Sequence, residues 1–164
     1  MSEEFELKRI TNEGLDAAVA RAEHYRLLSQ PGLAQSICFD VLEIDPDNQQ
    51  ALVALVLAMT DGFGTGGASP NAAKTHVGKL TDEYQRHYYN GIIAEREGRA
   101  LLARRASASF AYDAFREAME HYEKAEALRP AGNDDAILRW NACARAIKEA
   151  NLRPPSPEEP TLLE

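Results

Sequence analysis

The chain has 164 residues, of which 45% are hydrophobic and 27% charged, and it carries a net charge of −8. That length and composition fit one ordinary globular domain. An acidic surface cannot displace the counterions of a phosphate backbone and is repelled by anionic membranes, so neither nucleic acid nor membrane is expected as a partner. The first ten residues, MSEEFELKRI, lack the basic start and apolar run of a secretory leader. The longest apolar stretch, 51–59, is too short to span a bilayer. Cys38 and Cys143 fall inside helical patterns and read as buried thiols in a reducing, cytoplasmic setting.

Taken in chain order, nearly every segment carries helical periodicity, and no run alternates as a strand would. Residues 1–11 are a tail. A first helix is expected over 12–28, capped by Thr11, with Leu15, Ala18, Ala22 and Tyr25 on one face. Pro31 suits a helix start, so a second helix runs over 31–44 with Leu33, Ala34, Ile37, Cys38 and Val41 in its stripe. Asp45-Pro46-Asp47-Asn48 stops it and caps a third helix over 49–60, apolar nearly all round and therefore central to the core. A glycine-rich loop occupies 61–68. Ser69-Pro70 starts a short fourth helix over 70–80, and Thr81 is expected to cap a fifth over 82–97.

Gly98 is expected to break the chain before a long sixth helix ending at Leu128, with 104–109 as the other place for that break. Asn133 caps a seventh helix over 134–150, and the proline-rich tail 151–164 is expected to be extended and mobile.

The sequence also repeats itself. Ala34, Cys38, Val41 and Pro46 match Ala118, Tyr122, Ala125 and Pro130 in spacing and in kind. Tyr25 lies nine residues before Ala34, and 87–98 looks like the first helix of a later unit, with Gly91 as a close-packing glycine and Gly98 as a turn glycine. These residues resemble the tetratricopeptide repeat family, built from helix-turn-helix units of 34 residues. Small residues let paired helices approach, and the proline fixes where the next helix begins. Pro46 and Pro130 are 84 positions apart, 16 more than two such units. Part of the excess belongs in the glycine loop and most between Gly98 and Ala118.

The resemblance implies an all-α fold of about seven helices: a right-handed array of antiparallel helix pairs over 12–150, with about three degenerate units, the third extended. It implies a non-catalytic scaffold or adaptor that holds a peptide or helix in a concave groove. A dedicated small chaperone for a secretion or assembly client, like the three-repeat chaperones of bacterial secretion systems, is the other function it suggests. The positions that grip a carboxylate in one branch of the family hold Val19, Glu23, Ala54, Gln85 and Tyr89, none of them cationic. The candidate groove is therefore Val19, Glu23, Arg26, Val53, Leu57, Tyr88, Tyr89 and Ile92, with Asp16 beside them and the apolar members meeting an apolar partner segment. The sixth helix, or the tail ending Leu162-Leu163-Glu164, is the alternative cover for that face. The partner is a protein or peptide, and the chain is expected as a monomer or weak homo-oligomer.

Chemistry is sparse. Gly62 to Gly67 lacks both the preceding strand and the terminal lysine of a phosphate-binding loop. Glu83/His87 and Glu117/His121 are four-residue pairs on single helices, the spacing of surface ion pairs, and would hold a metal only if their helices faced each other. Arg96, Arg99, Arg104 and Arg105 form the one basic cluster, read as a solvated face or as a docking patch for an acidic partner. Trp140 is expected to close the end of the array, with Arg139, Asn141, Arg145, Lys148 and Glu149 outside. No nucleophile motif is present, and no catalytic residue, metal or cofactor is implied.

Overall fold

A computed structural model describes residues 4–156. They form seven α-helices after a single 3-10 turn at Asn12–Gly14, and no strand occurs among them. The helices are α1 (Leu15–Leu27), α2 (Pro31–Ile44), α3 (Gln49–Asp61), α4 (Pro70–Val77), α5 (Glu83–Ala103), α6 (Ala108–Leu128) and α7 (Asp135–Glu149). Among the described residues, no helix is long and apolar enough to cross a membrane.

Most starts follow local capping chemistry. Thr11 accepts a hydrogen bond from the Gly14 amide at 3.1 Å, and Asn48 accepts from the Ala51 amide at 2.9 Å. Ser69 caps α4 through the Ala72 amide, and Asn133 accepts from the Asp135 amide. The cap of α5 is Asp82 rather than Thr81: its carboxylate accepts from the Tyr84 amide at 2.9 Å. Thr81 is held instead by Gln49, whose side-chain oxygen accepts from the Thr81 amide at 3.0 Å.

Each helix packs on the next, and α1, α3 and α5 also touch one another in series. These three helices lie side by side and run the same way. Their first halves line one cavity (Asp16 to Glu23, Gln49 to Val53, Gln85 to Tyr89), and their later residues Arg26, Asp61 and Arg96 meet at another. The all-apolar α3 is central as expected, with Leu52, Leu55, Val56 and Ala58 fully buried. It shares a core with α2, α4 and Ile93 of α5. A second core joins α5, α6 and α7 around Ile92, Phe115, Tyr122 and Cys143.

The largest departure from expectation is at Gly98, which does not break the chain. Helix α5 continues through it to Ala103, and the break falls at 104–107. Gly98 is a packing residue: a Cβ there would lie 3.1 Å from the Phe115 ring. Gly91 is tighter, with a Cβ placed 2.5 Å from the Tyr122 ring. Since 91 faces 122 and 98 faces 115, α5 and α6 are antiparallel. Both members of this pair are 21 residues long, against 13 and 14 for α1 and α2. That is about two extra turns each, or roughly 10 Å.

The start of the C-terminal tail is anchored. Leu152 is 6% exposed in the second core, beside an Asn151 that holds a left-handed φ of 50°. Residues 153–156 are exposed and outside any helix, and 157–164, including Leu162-Leu163-Glu164, lie outside the described residues.

Gly91→Ala should therefore destabilise the fold by about 1–3 kcal/mol, the usual cost of forcing atoms into a packed contact. Gly32→Ala, in α2 with nothing within 4 Å of the added Cβ, should instead stabilise it by about 0.4–1 kcal/mol. Urea denaturation of the two variants measures both signs.

Candidate functional site

The helix alignment gathers four of the eight expected groove residues into one cavity of about 340 Å³, on the face shared by α1, α3 and α5. Val19 and Glu23 come from α1, Val53 from α3 and Tyr89 from α5. Asp16, Ala20, Gln49, Gln50 and Gln85 complete the lining. Val19 is 3% exposed, rooted in a small cluster with Val41 and Ala51. Val53 and Tyr89 are half-buried and pack against the α2–α3–α4 core. Burial pushes the Tyr89 hydroxyl up to about 12, so it stays a protonated donor through neutral pH. The amides of Gln49, Gln50 and Gln85 were not among the expected partner contacts. They stand three or four positions before apolar groove residues, which is the signal that would have found them.

The other expected groove residues are not part of this cavity. Ile92 is 1% exposed inside the second core and offers nothing to a partner. Leu57 and Tyr88 are half-buried against the same core. Tyr88 is enclosed by aromatic neighbours, with Tyr84 stacked at 5.8 Å between ring centroids, Tyr89 at 5.2 Å and Tyr122 at 5.9 Å. Tyr88 and Ile92 are enclosed by α6 and α7: Tyr122 of α6 packs on Tyr88, and Ala136 and Cys143 of α7 join the core that holds Ile92. Of the two expected covers, α6 contributes through Tyr122 and the start of the tail through Leu152, with α7 beside them.

Arg26 points to the other end of α1. It clamps Asp61 with two hydrogen bonds, at 2.7 and 3.2 Å, and Arg96 approaches the same carboxylate at 3.7 Å. Arg26 is thus a neutralised tie between α1 and α3.

The basic cluster disperses in the same way. Arg96 turns to Asp61, and Arg99 bonds the Glu95 carboxylate at 3.1 Å and lies over the Phe115 ring. Arg104 lines a separate cavity of about 270 Å³ beneath the glycine loop, and Arg105 sits in the left-handed region at φ 53°. The loop itself turns on Gly64 and Gly66, both at positive φ, and Gly64 rests against Ala100 of the lengthened α5. Phe63 packs on the first core.

The histidine pairs stay local. His87 meets Glu83 and His121 meets Glu117, each at 3.7 Å within its own helix. Burial lowers the His121 pKa below its usual value. Among the described residues, no group of three or more His, Cys, Asp or Glu side chains is arranged around a metal position.

Glu95 was not anticipated. It is 0% exposed, yet it accepts from the Tyr122 hydroxyl at 2.9 Å, from Arg99 at 3.1 Å and from Arg139 at 3.3 Å. It joins α5, α6 and α7 at one carboxylate, and Arg139 belongs to this junction rather than to the outer face of α7. Burial, with Glu95 alongside, holds the Tyr122 hydroxyl protonated far above the usual tyrosine range. Trp140 is half-buried against the same core and donates to Glu123 at 3.1 Å.

Glu95→Ala should cost about 3 kcal/mol, since it strips the partner from a buried hydroxyl and two guanidinium groups. Tyr122→Phe, which leaves both arginines on the carboxylate, should cost about 1 kcal/mol. Denaturant midpoints of the two variants give that order.

Both cysteines are buried and free. Burial pushes the Cys38 thiol up to about 11, and burial together with Glu95 pushes the Cys143 thiol up to about 12. The folded state thus keeps protons that the unfolded chain releases near 9, so stability should fall as pH rises from about 9 toward 11–12. Neither thiol should react with a disulfide reagent at pH 8 in the native protein, and both should react in urea.

Comparison of this chain with protein-family models, with curated proteins and with solved structures finds no match, so residue placement carries the functional reading.

Proposed function

We propose that the protein is a tetratricopeptide-like interaction module that captures a peptide or helix in the groove of α1, α3 and α5. One observation carries this reading. Three helices run side by side in the same direction, and their first halves surround a half-apolar cavity built from Val19, Ala20, Val53 and Tyr89. Side-by-side first helices are what a repeat array supplies, and such arrays bind extended segments along that face. The lining offers shape, apolar contact and neutral amides, with no nucleophile–base pair among its residues. Recognition is the role that this set of groups supports.

Two variants test the groove. Ala20→Trp places a bulky ring on an exposed position of α1 inside the cavity, and Tyr89→Ala removes its largest apolar wall. In affinity capture from the native cell, each should reduce partner recovery about tenfold or more, equivalent to about 1.4 kcal/mol. Phe39→Ala, on the exposed side of α2, should leave recovery unchanged. Circular dichroism confirms that helicity is retained. Unchanged recovery with Ala20→Trp overturns the groove as the binding face. A single stoichiometric partner through every purification step assigns the chaperone role; several exchangeable partners assign the adaptor role.

A further inference from the structure

We infer that the groove of α1, α3 and α5 takes a cationic peptide segment, one with an apolar side chain flanked by lysine or arginine. The inference rests on the proposed groove and adds the chemistry of its occupant.

Every charged side chain lining the cavity is acidic. Asp16 and Glu23 are two helical turns apart on α1, so they share a face and bracket Val19 and Ala20 along about 10 Å of the groove wall. Both are exposed, and neither makes a hydrogen bond or an ion pair within the described residues. The other polar lining is neutral. Gln49 is committed to the turn before α5, while Gln50 and Gln85 remain open to a backbone.

Arg21, the cation nearest in sequence, is not among the lining residues, and Arg26 is spent on Asp61 at the far end of α1. An incoming carboxylate would therefore meet two like charges and no compensating guanidinium, on a chain already at −8. A lysine or arginine at either end of an apolar residue would meet Asp16 or Glu23 while that residue rests on Val19, Val53 and Tyr89. Exposed ion pairs add little net affinity, so the carboxylates select and orient the segment while the apolar floor holds it. The chain's own last residues carry Glu158, Glu159 and Glu164, the wrong sign for this groove.

The test uses the full chain and three fluorescent synthetic 12-residue peptides of identical leucine spacing, with lysine, glutamine or glutamate between the leucines. In fluorescence anisotropy at low salt, the lysine peptide should bind about three- to tenfold tighter than the glutamine peptide, and the glutamate peptide should bind weakest. Asp16→Asn with Glu23→Gln should erase the lysine advantage. Glu120→Gln with Glu149→Gln, the same charge change on exposed positions of α6 and α7, should preserve it. The inference is overturned if the two double variants lose equally, because the preference would then belong to the overall charge. Equal binding of the lysine and glutamine peptides to the unaltered chain overturns it as well. In either case, weaker binding of all peptides to Ala20→Trp keeps the groove itself as the site. Should Ala20→Trp bind every peptide as the unaltered chain does, the groove reading fails along with its occupant.

Discussion

Gly91 and Gly98 stand two turns apart on α5, facing Tyr122 and Phe115, which stand two turns apart on α6. Each aromatic ring occupies the space that a Cβ would take. Glycine in a helix interior costs about 1 kcal/mol relative to alanine. The close approach offsets that cost, because it brings the rings onto the α5 backbone and buries both completely. It also brings the Tyr122 hydroxyl to Glu95, which sits between the two glycines. A carboxylate at that depth is tolerable only when its oxygens are satisfied, and α7 completes the set through Arg139. The glycine–aromatic interlock thus creates the site for Glu95, and Glu95 in turn recruits α7.

Docking of α7 divides the face shared by α1, α3 and α5. Beyond the cavity, Tyr88, Ile92 and Leu57 pack into or against the core of α5, α6 and α7, where the rings of Tyr84, Tyr88 and Tyr122 lie in contact. Over the earlier turns of the three helices, the cavity lined by Val19, Val53 and Tyr89 remains. The groove is short for this reason. Its limit is set by a helix whose position depends on a buried carboxylate two turns away from the nearest groove residue on α5.

The helical architecture was legible because its signals are local. Proline at helix starts, side-chain caps and a 3.6-residue apolar period each act within a few positions, and they placed all seven helices. What failed was a stop signal. Gly98 resembles a helix end, while the actual end at Arg104–Arg105 has no glycine or proline. There a Schellman-type closure forms on an arginine, with the Ala106 amide bonding the Leu101 carbonyl at 3.0 Å. The same substitution of an ordinary residue for glycine ends α1 at Ser29 and α7 at Asn151. In the groove, Val19, Glu23, Val53 and Tyr89 were expected from the resemblance to a repeat array, and they do line one cavity. The resemblance could not show that Ile92, one turn further on the same helix, lies under α7, because that depends on a contact between residues 44 positions apart, Glu95 and Arg139.

The division of labour within the lining residues bears on how the proposed groove would work. Val19 and Val53 each turn one side to a core cluster and the other to the cavity, so their rotamers are already fixed by packing. Tyr89 is held at the junction of both large cores. Ordering these side chains adds no cost at binding, which leaves the apolar contact largely uncompromised. Asp16 and Glu23, by contrast, are exposed and unpaired, free to move toward a ligand of suitable charge. A rigid apolar floor with a mobile acidic rim favours a segment whose core contact is fixed by shape and whose flanking charges are read loosely. Such a site tolerates variation in the positions of the basic residues much better than variation in the apolar one.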